Sequence, residues 1–237
     1  MDTAYIDASD EGSKTVSVFF GTTTSPPQQY SSLAGLLGGL ASRPSYVLIP
    51  EQERGAVISG LDAASRTTIL SYVSNGGTLV AVSMGDPNSL SMQNQLFGWR
   101  LSSADCNSVS TSLDVKQASG TVYSTGPSTL PPLNAVQCVS MSSLPTGSQS
   151  IYYSSSAVSV FQVAVGTGRV IGLAPDWFST SSEWNSVLIR ALQQAQAVTV
   201  CKGLCQAGTY WTGSGSHGNG VVDKEATACQ DDIDLHT

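Results

Sequence analysis

Charge is scarce in this sequence. Asp, Glu, Lys and Arg make up 11% of its 237 residues, against roughly a quarter in an ordinary soluble domain. The few charges are mostly acidic and leave a net charge of −7. A nucleic-acid partner, which requires clustered Lys and Arg, is therefore not expected. Histidine occurs twice, as His217 and His236, so chemistry that relies on an imidazole base has only the tail to draw on. No apolar run approaches the ~18 residues of a membrane helix, and insertion of this segment into a membrane is not expected. There is no Asn-x-Ser/Thr sequon, which excludes ordinary N-glycosylation. The opening MDTAYIDASDEGSK is polar and acidic, unlike a signal peptide. If the protein is exported, its leader is expected to lie outside this sequence.

Ser, Thr and Gly take the place of the missing charge, beside 41% hydrophobic residues. That composition suits a secreted or surface protein, and 237 residues suffice for one large or two small domains. Five cysteines are an odd number. Cys201, Cys205 and Cys229 crowd the tail, while Cys106 and Cys138 stand apart in the middle. Cys106 and Cys138 are read as a disulfide that ties a polar insertion together, with two buried free thiols as the alternative.

The clearest organisation runs from Leu61 to Asp86. Leu61, Ala64, Thr68, Ile69, Tyr72 and Val73 share one face at the helical period. Gly76 and Gly77 mark a left-handed helix stop. Thr78 to Val82 is a short apolar run of the kind that forms a strand covered on both faces, and Asp86-Pro87 caps and opens another helix through Leu90, Gln93, Leu96 and Phe97. Residues 1–14 read as an extended lead-in. Thr15 to Phe20 is expected to be a core strand. Ser25-Pro26-Pro27-Gln28 has the form of a capping box, starting a helix through Tyr30, Leu33, Leu37, Leu40 and Ala41. Tyr46 to Ile49 is a second buried strand.

From about residue 100 to 153 the apolar segments become short and alternating: LDV at 113, TVYST at 121, AVQCV at 135 and SIYYS at 150. This reads as a β-rich insertion or antiparallel edge. Val158 to Val165 and Arg169 to Leu173, around Gly166-Thr167-Gly168, look like a hairpin returning to the sheet. Thr180-Ser181-Ser182-Glu183 is a second capping box, followed by the apolar stripe Trp184, Val187, Leu188, Ala191, Leu192, Ala195 and Val198. The expected fold is α/β: a three-layer, mostly parallel sheet with helices on both faces, the β-rich insertion, and a small cysteine-rich tail from residue 200 to 237. Ligands of such sheets sit beyond the C-terminal strand ends.

The run YVLIPEQERG, then YVSNGGTLVAVS, a helix with LFGW, and GTGRVIGLAPDWF resembles the class I glutamine amidotransferase-like superfamily, above all its ThuA-like branch, over about residues 15 to 199. The resemblance implies a flavodoxin-like sheet. Catalytic amidotransferases carry a cysteine in the turn after the strand that is here Leu79 to Val82; this sequence has Ser83-Met84-Gly85 there. The resemblance thus implies a domain without the triad. The tail, CKGLCQAGTYWTGSGSHGNGVVDKEATAC, resembles ephrin-receptor-like cysteine-rich repeats, which implies disulfides among Cys201, Cys205 and Cys229 and a repeat that continues beyond Thr237. A zinc site from Cys201, Cys205, His217 and Cys229 is the competing reading of the same residues.

Ala81-Val82-Ser83-Met84-Gly85 comes close to the G-x-S-x-G nucleophile elbow, with Ser83 as the candidate nucleophile. Glu51, Glu53, Asp86 and Asp176 sit at the strand ends and would suit calcium or a sugar if they converge. The plainer reading makes Asp86 a helix cap and the two glutamates solvated loop charges. Trp177 is a candidate sugar-stacking platform, while Trp184 belongs to the apolar stripe. These readings converge on a non-catalytic extracellular binding or adhesion module of a larger surface or secreted protein. Its expected ligand is a carbohydrate, calcium or a protein partner, and no cofactor is expected otherwise. A hydrolase using Ser83 or the carboxylates, and a structural spacer, are the alternatives.

Overall fold

The structure, a computed structural model, describes residues 3–6, 28–30, 32–52, 57–134, 136–179 and 181–193. All of them fall within a unit spanning Met1–Gln196. The expected strand at Thr15 to Phe20, Glu53, and the whole tail with Cys201, Cys205, Cys229, His217 and His236 lie outside the described residues.

In chain order the elements are β1 (Thr3–Ile6), β2 (Gln28–Tyr30), α1 (Leu33–Gly39), β3 (Tyr46–Ile49), α2 (Ala63–Ser74), β4 (Thr78–Val82), α3 (Pro87–Phe97), β5 (Ser103–Asp105) and β6 (Thr111–Leu113). They continue with α4 (Val115–Ala118), β7 (Thr129–Leu130), β8 (Gln137–Ser140), β9 (Gln149–Ser154), β10 (Ala157–Val165) and β11 (Gly168–Leu173), and close with α5 (182–193). The strands form one mixed sheet in the order β2-β1-β3-β4-β11-β10-β9-β6-β7, with β8 pairing β10 and β5 pairing β8.

The sheet has two halves of different character. From β2 to β11 every pair is parallel. From β11 through β10 and β9 to β6 and β7, and in the β8 and β5 branch, every pair is antiparallel. The antiparallel share is larger than the expected mostly parallel sheet, because residues 100–153 join the same sheet through β9 and β10. Every residue of β3 and β4 is buried, as their unbroken apolar sequence requires. Alternate positions feed two cores. Val47, Ile49, Leu79, Ala81 and Val170 pack with α1, α2 and α3 residues such as Leu36, Ile69, Val73 and Met92. Leu48, Val80, Val82, Ile171 and Leu173 pack with Trp184, Val187, Leu188, Ala191 and Leu192 of α5. The strand period of two thus assigns each side chain to a face.

Local signals set most boundaries. Asp62 caps α2 by accepting from the Ser65 amide at 2.7 Å, and Gly76 leaves the helix at φ 104°, a conformation with little cost only for glycine. Three expectations are corrected. The first helix does not begin at the Ser25 box: Gln28–Tyr30 is a strand, and Ser32 caps α1 through the Gly35 amide. Before α5 it is Ser181 that accepts from the Trp184 amide, at 3.3 Å, one residue after the expected Thr180. The TVYST run is a 3-10 turn over Val122–Thr125 and not a strand, because the Thr121 hydroxyl accepts from the Tyr123 amide and starts a turn.

The antiparallel half is stapled. Cys106 and Cys138 form a disulfide with Cα atoms 5.8 Å apart. Both are buried in the core that β4 and α3 share. Among the described residues no helix is long and apolar enough to cross a membrane.

Candidate functional site

The site is built at the C-terminal end of β4, where a strand buried on both faces must turn sharply to start a helix that covers one of them. Ser83 makes that turn at φ 49°, the left-handed region that non-glycine residues seldom occupy. Asp86 then caps α3, accepting from the Asn88 and Ser89 amides at 2.8 and 3.3 Å. The strand, turn and helix therefore have the shape of a nucleophile elbow, with Ser83 at its tip.

Its surroundings differ from a working elbow. Ser83 is fully buried, and its hydroxyl donates to Glu51 Oε1 at 3.2 Å. The three amides of the turn all donate to protein carbonyls: Ser83 to Pro175 at 2.9 Å, Met84 to Leu173 at 3.1 Å and Gly85 to Gln137 at 2.9 Å. An oxyanion hole needs such amides aimed at a vacant position. Here those positions are filled by the carbonyls of Leu173 and Pro175, at and just beyond the end of β11, and of Gln137 in β8. A Cβ at Gly85 would fall 2.3 Å from the Cys138 carbonyl oxygen and 2.4 Å from that of Gln137, so only glycine lets β8 approach this closely.

The loop after β3 closes a second side. Glu51 is 8% exposed and Gln52 is buried completely. Gln52 accepts from the Val57 amide at 3.0 Å and donates to Pro50, and its own carbonyl accepts from Asn88 Nδ2 at 2.8 Å. On α3, Gln93 donates to the Met84 and Ser89 carbonyls at 3.2 and 3.1 Å. Gln52, Asn88 and Gln93 were not singled out from the sequence. Gln93 alone left a trace, as a polar residue on the apolar stripe of α3.

Of the remaining candidates, Asp176 serves the backbone and Trp177 the core. Asp176 is 8% exposed, and its Oδ1 accepts from the Phe178 amide at 2.8 Å. Trp177 is 1% exposed, at φ 67°, with its indole N–H donating to Asn185 on α5 at 3.2 Å. The expected stacking platform is thus corrected: Trp177 is buried in the core, and Phe178 is the exposed ring beside it, at 64%. The structure brings Glu51 and Ser83 into contact and sets Pro175, the neighbour of Asp176, against the same turn. Asp86 remains a half-exposed cap. Among the described residues no three Asp, Glu, His or Cys side chains come together to hold a metal ion, so the expected convergence of carboxylates is not seen there.

Set beside solved structures, this domain is similar to a protein from Bacteroides uniformis described as ThuA-like, with a TM-score of 0.55 and 12% identity over 82% of this chain and 91% of that one. A protein from Thermoplasma acidophilum, described as part of a GMP synthase, gives 0.57 and 8%, over 86% and 98%. A cytoplasmic protein from Salmonella typhimurium gives 0.52 and 14%, over 87% and 99%. The likeness is one of fold. The chain carries an α/β domain with the fold that these three proteins share. No family model matches the sequence, and neither does any curated protein.

Proposed function

We propose that this domain acts without catalysis, as a binding or adhesion module of an extracellular or cell-surface protein. The observation that carries the reading is the filled turn after β4, where Ser83 is buried and the amides of residues 83, 84 and 85 are all bonded to protein carbonyls. Acyl transfer needs an accessible nucleophile and free amides. The sequence supports the same reading, with Ser83 where amidotransferases carry cysteine and no histidine before His217; the triad is taken to be absent. The Cys106–Cys138 bond supports an oxidising compartment. The tail, with Cys201, Cys205 and Cys229, is read as part of a cysteine-rich repeat. Carbohydrate, calcium or a protein partner is the proposed ligand, taken at loops beyond the parallel strand ends, where Asp86 is a half-exposed carboxylate.

The test is turnover of generic ester and glycoside substrates. None is expected above the level of Ser83→Ala and Asp176→Asn; turnover that either substitution abolishes would overturn the reading. A hydrolase is the second reading, favoured by the Ser83–Glu51 hydrogen bond and the left-handed Ser83 backbone, and the same assay decides it. For the ligand, a thermal-shift panel with calcium, EDTA and simple sugars is direct. A ligand at about 100 times its Kd adds about 2.7 kcal/mol. No shift with any of them points to a protein partner or a spacer.

A further inference from the structure

We propose that the Cys106–Cys138 disulfide locks an internal plug, Val136–Cys138, into the mouth of the turn after β4. The inference rests on that turn being closed in the native protein. It concerns what keeps it closed.

Two groups of contacts hold β8. Its second half pairs with β10, Val139 opposite Val158 and Ser140 opposite Ala157. The first half has no such neighbour. It is held by the Gly85 amide on the Gln137 carbonyl, by the Gln137 amide on the Ala174 carbonyl at 3.2 Å, and by a bridge between Val136 and Pro175. Its remaining neighbour is β5, in register from Ser103–Val139 to Asp105–Gln137. That strand is a poor anchor. It is three residues long, Ser103 and Asp105 are exposed, and among the described strands it pairs with β8 alone. A two-stranded ribbon of this length has little stability of its own.

The disulfide changes the ribbon's status. Cys106 follows β5 directly, and Cys138 sits where β8 crosses Gly85. Both sulfur-bearing residues are buried, at 1% and 0% exposure, in the same core as Met84 and Met92. The cross-link therefore joins the plug and its weak neighbour strand at the point where both are anchored under α3. Without it, the contacts of Val136 and Gln137, the short pairing with β5 and the burial of Val136 and Cys138 are what oppose local opening, and such an opening frees the Gly85 amide in the turn next to Ser83. Peripheral elements with few main-chain bonds open independently of a protein's core.

Amide hydrogen exchange on the full chain tests this, comparing the native protein with Cys106→Ser/Cys138→Ser. The readout is the exchange rate of the Gly85 and Gln137 amides relative to Val80 and Ile171 in the central strands. The expected result is a rise in that ratio of tenfold or more in the variant. A smaller rise, with plug and central amides accelerating together or neither changing, overturns the proposal. Should the double serine variant not fold, Cys106→Ala/Cys138→Ala keeps the site apolar, and native protein reduced with dithiothreitol in mild urea and capped with iodoacetamide gives the same ratio. Ester turnover on the opened variant answers the separate question of catalysis. Activity there would overturn the non-catalytic reading without touching the lock, which exchange alone decides.

Discussion

The two halves of the sheet solve the same problem with different means. In the parallel half, β3 and β4 are unbroken apolar runs, buried throughout, and each fully buried Val, Leu or Ile contributes up to about 1.5–3 kcal/mol. In the antiparallel half, β5, β6 and β7 are two or three residues long and mostly polar. There a disulfide and side chains reaching to main-chain carbonyls do what apolar area cannot. Tyr152 donates to Pro127 at 2.7 Å and Trp184 to Pro131 at 3.0 Å. Arg190 reaches from α5 to the Val122 and Thr125 carbonyls at 2.7 and 2.8 Å. Where the sequence is rich in Ser and Thr, order comes from specific bonds to an irregular backbone.

The sharpest way to break the parallel half is Leu79→Ala. Leu79 is fully buried between its neighbours Val47 and Val170, and the loss should lie in the upper part of the ~2–5 kcal/mol range for such truncations, read by urea unfolding. Removing the Cys106–Cys138 bond attacks the other half. With a sequence separation of 32 between the cysteines, the chain-entropy relation gives a loss of roughly 3–4 kcal/mol. Leu79 and both cysteines belong to one buried core, so the double variant measures the coupling between the halves, and a loss different from the sum of the two single losses is expected. Arg190→Ala should cost less, about 1–3 kcal/mol, by leaving the Val122 and Thr125 carbonyls without their donor, and raise proteolytic cleavage near residue 125.

The smallest effect concerns pH. The Ser65 amide on the Asp62 carboxylate lowers its pKa below the ordinary 3.8. A carboxylate whose folded pKa is depressed stabilises the fold above its ordinary value, and that contribution is lost as pH falls below 3.8 and through the lowered value. Asp62→Asn keeps a capping oxygen without the charge. It should flatten the acid limb of the stability curve in that window, matching the native protein at low pH and falling slightly below it at neutral pH. An unchanged acid limb would place its origin elsewhere.

In the parallel half β3, β4 and α3 were legible because their signals are local, whereas β1 and β2 fall in segments that read as a lead-in and a helix. Pro50 and Gly77 bound β3 and β4, and Asp86-Pro87 announces α3 within two residues. The first helix was misplaced because two capping serines, Ser25 and Ser32, compete, and the choice falls to Tyr30, which pairs with Ile6 in the sheet. TVYST carries a strand's alternation, but its Thr121 cap is an equally local signal that wins at a surface turn. The site was legible in its backbone and not in its contacts. Asp86 and Ser83 announce a turn, while the burial of Trp177, the Gln52–Asn88 bond and the cover supplied by β8 depend on residues distant in the chain. No periodicity reports those distances.

The position of β11 has a consequence for how the chain is made. This strand, late in the chain, lies at the centre of the sheet, between β4 and β10. Thr78 waits for Arg169, and at ~5–20 residues per second on the ribosome that partner emerges roughly 5–20 seconds later. During that interval β4 has an open edge of five buried residues, and an unpaired apolar edge invites pairing with another chain. Cys106 and Cys138 have both emerged before β11 is complete, so their cross-link can close before β11 joins β4. The order of synthesis then favours a stapled antiparallel half, with β11 sealing two preformed pieces.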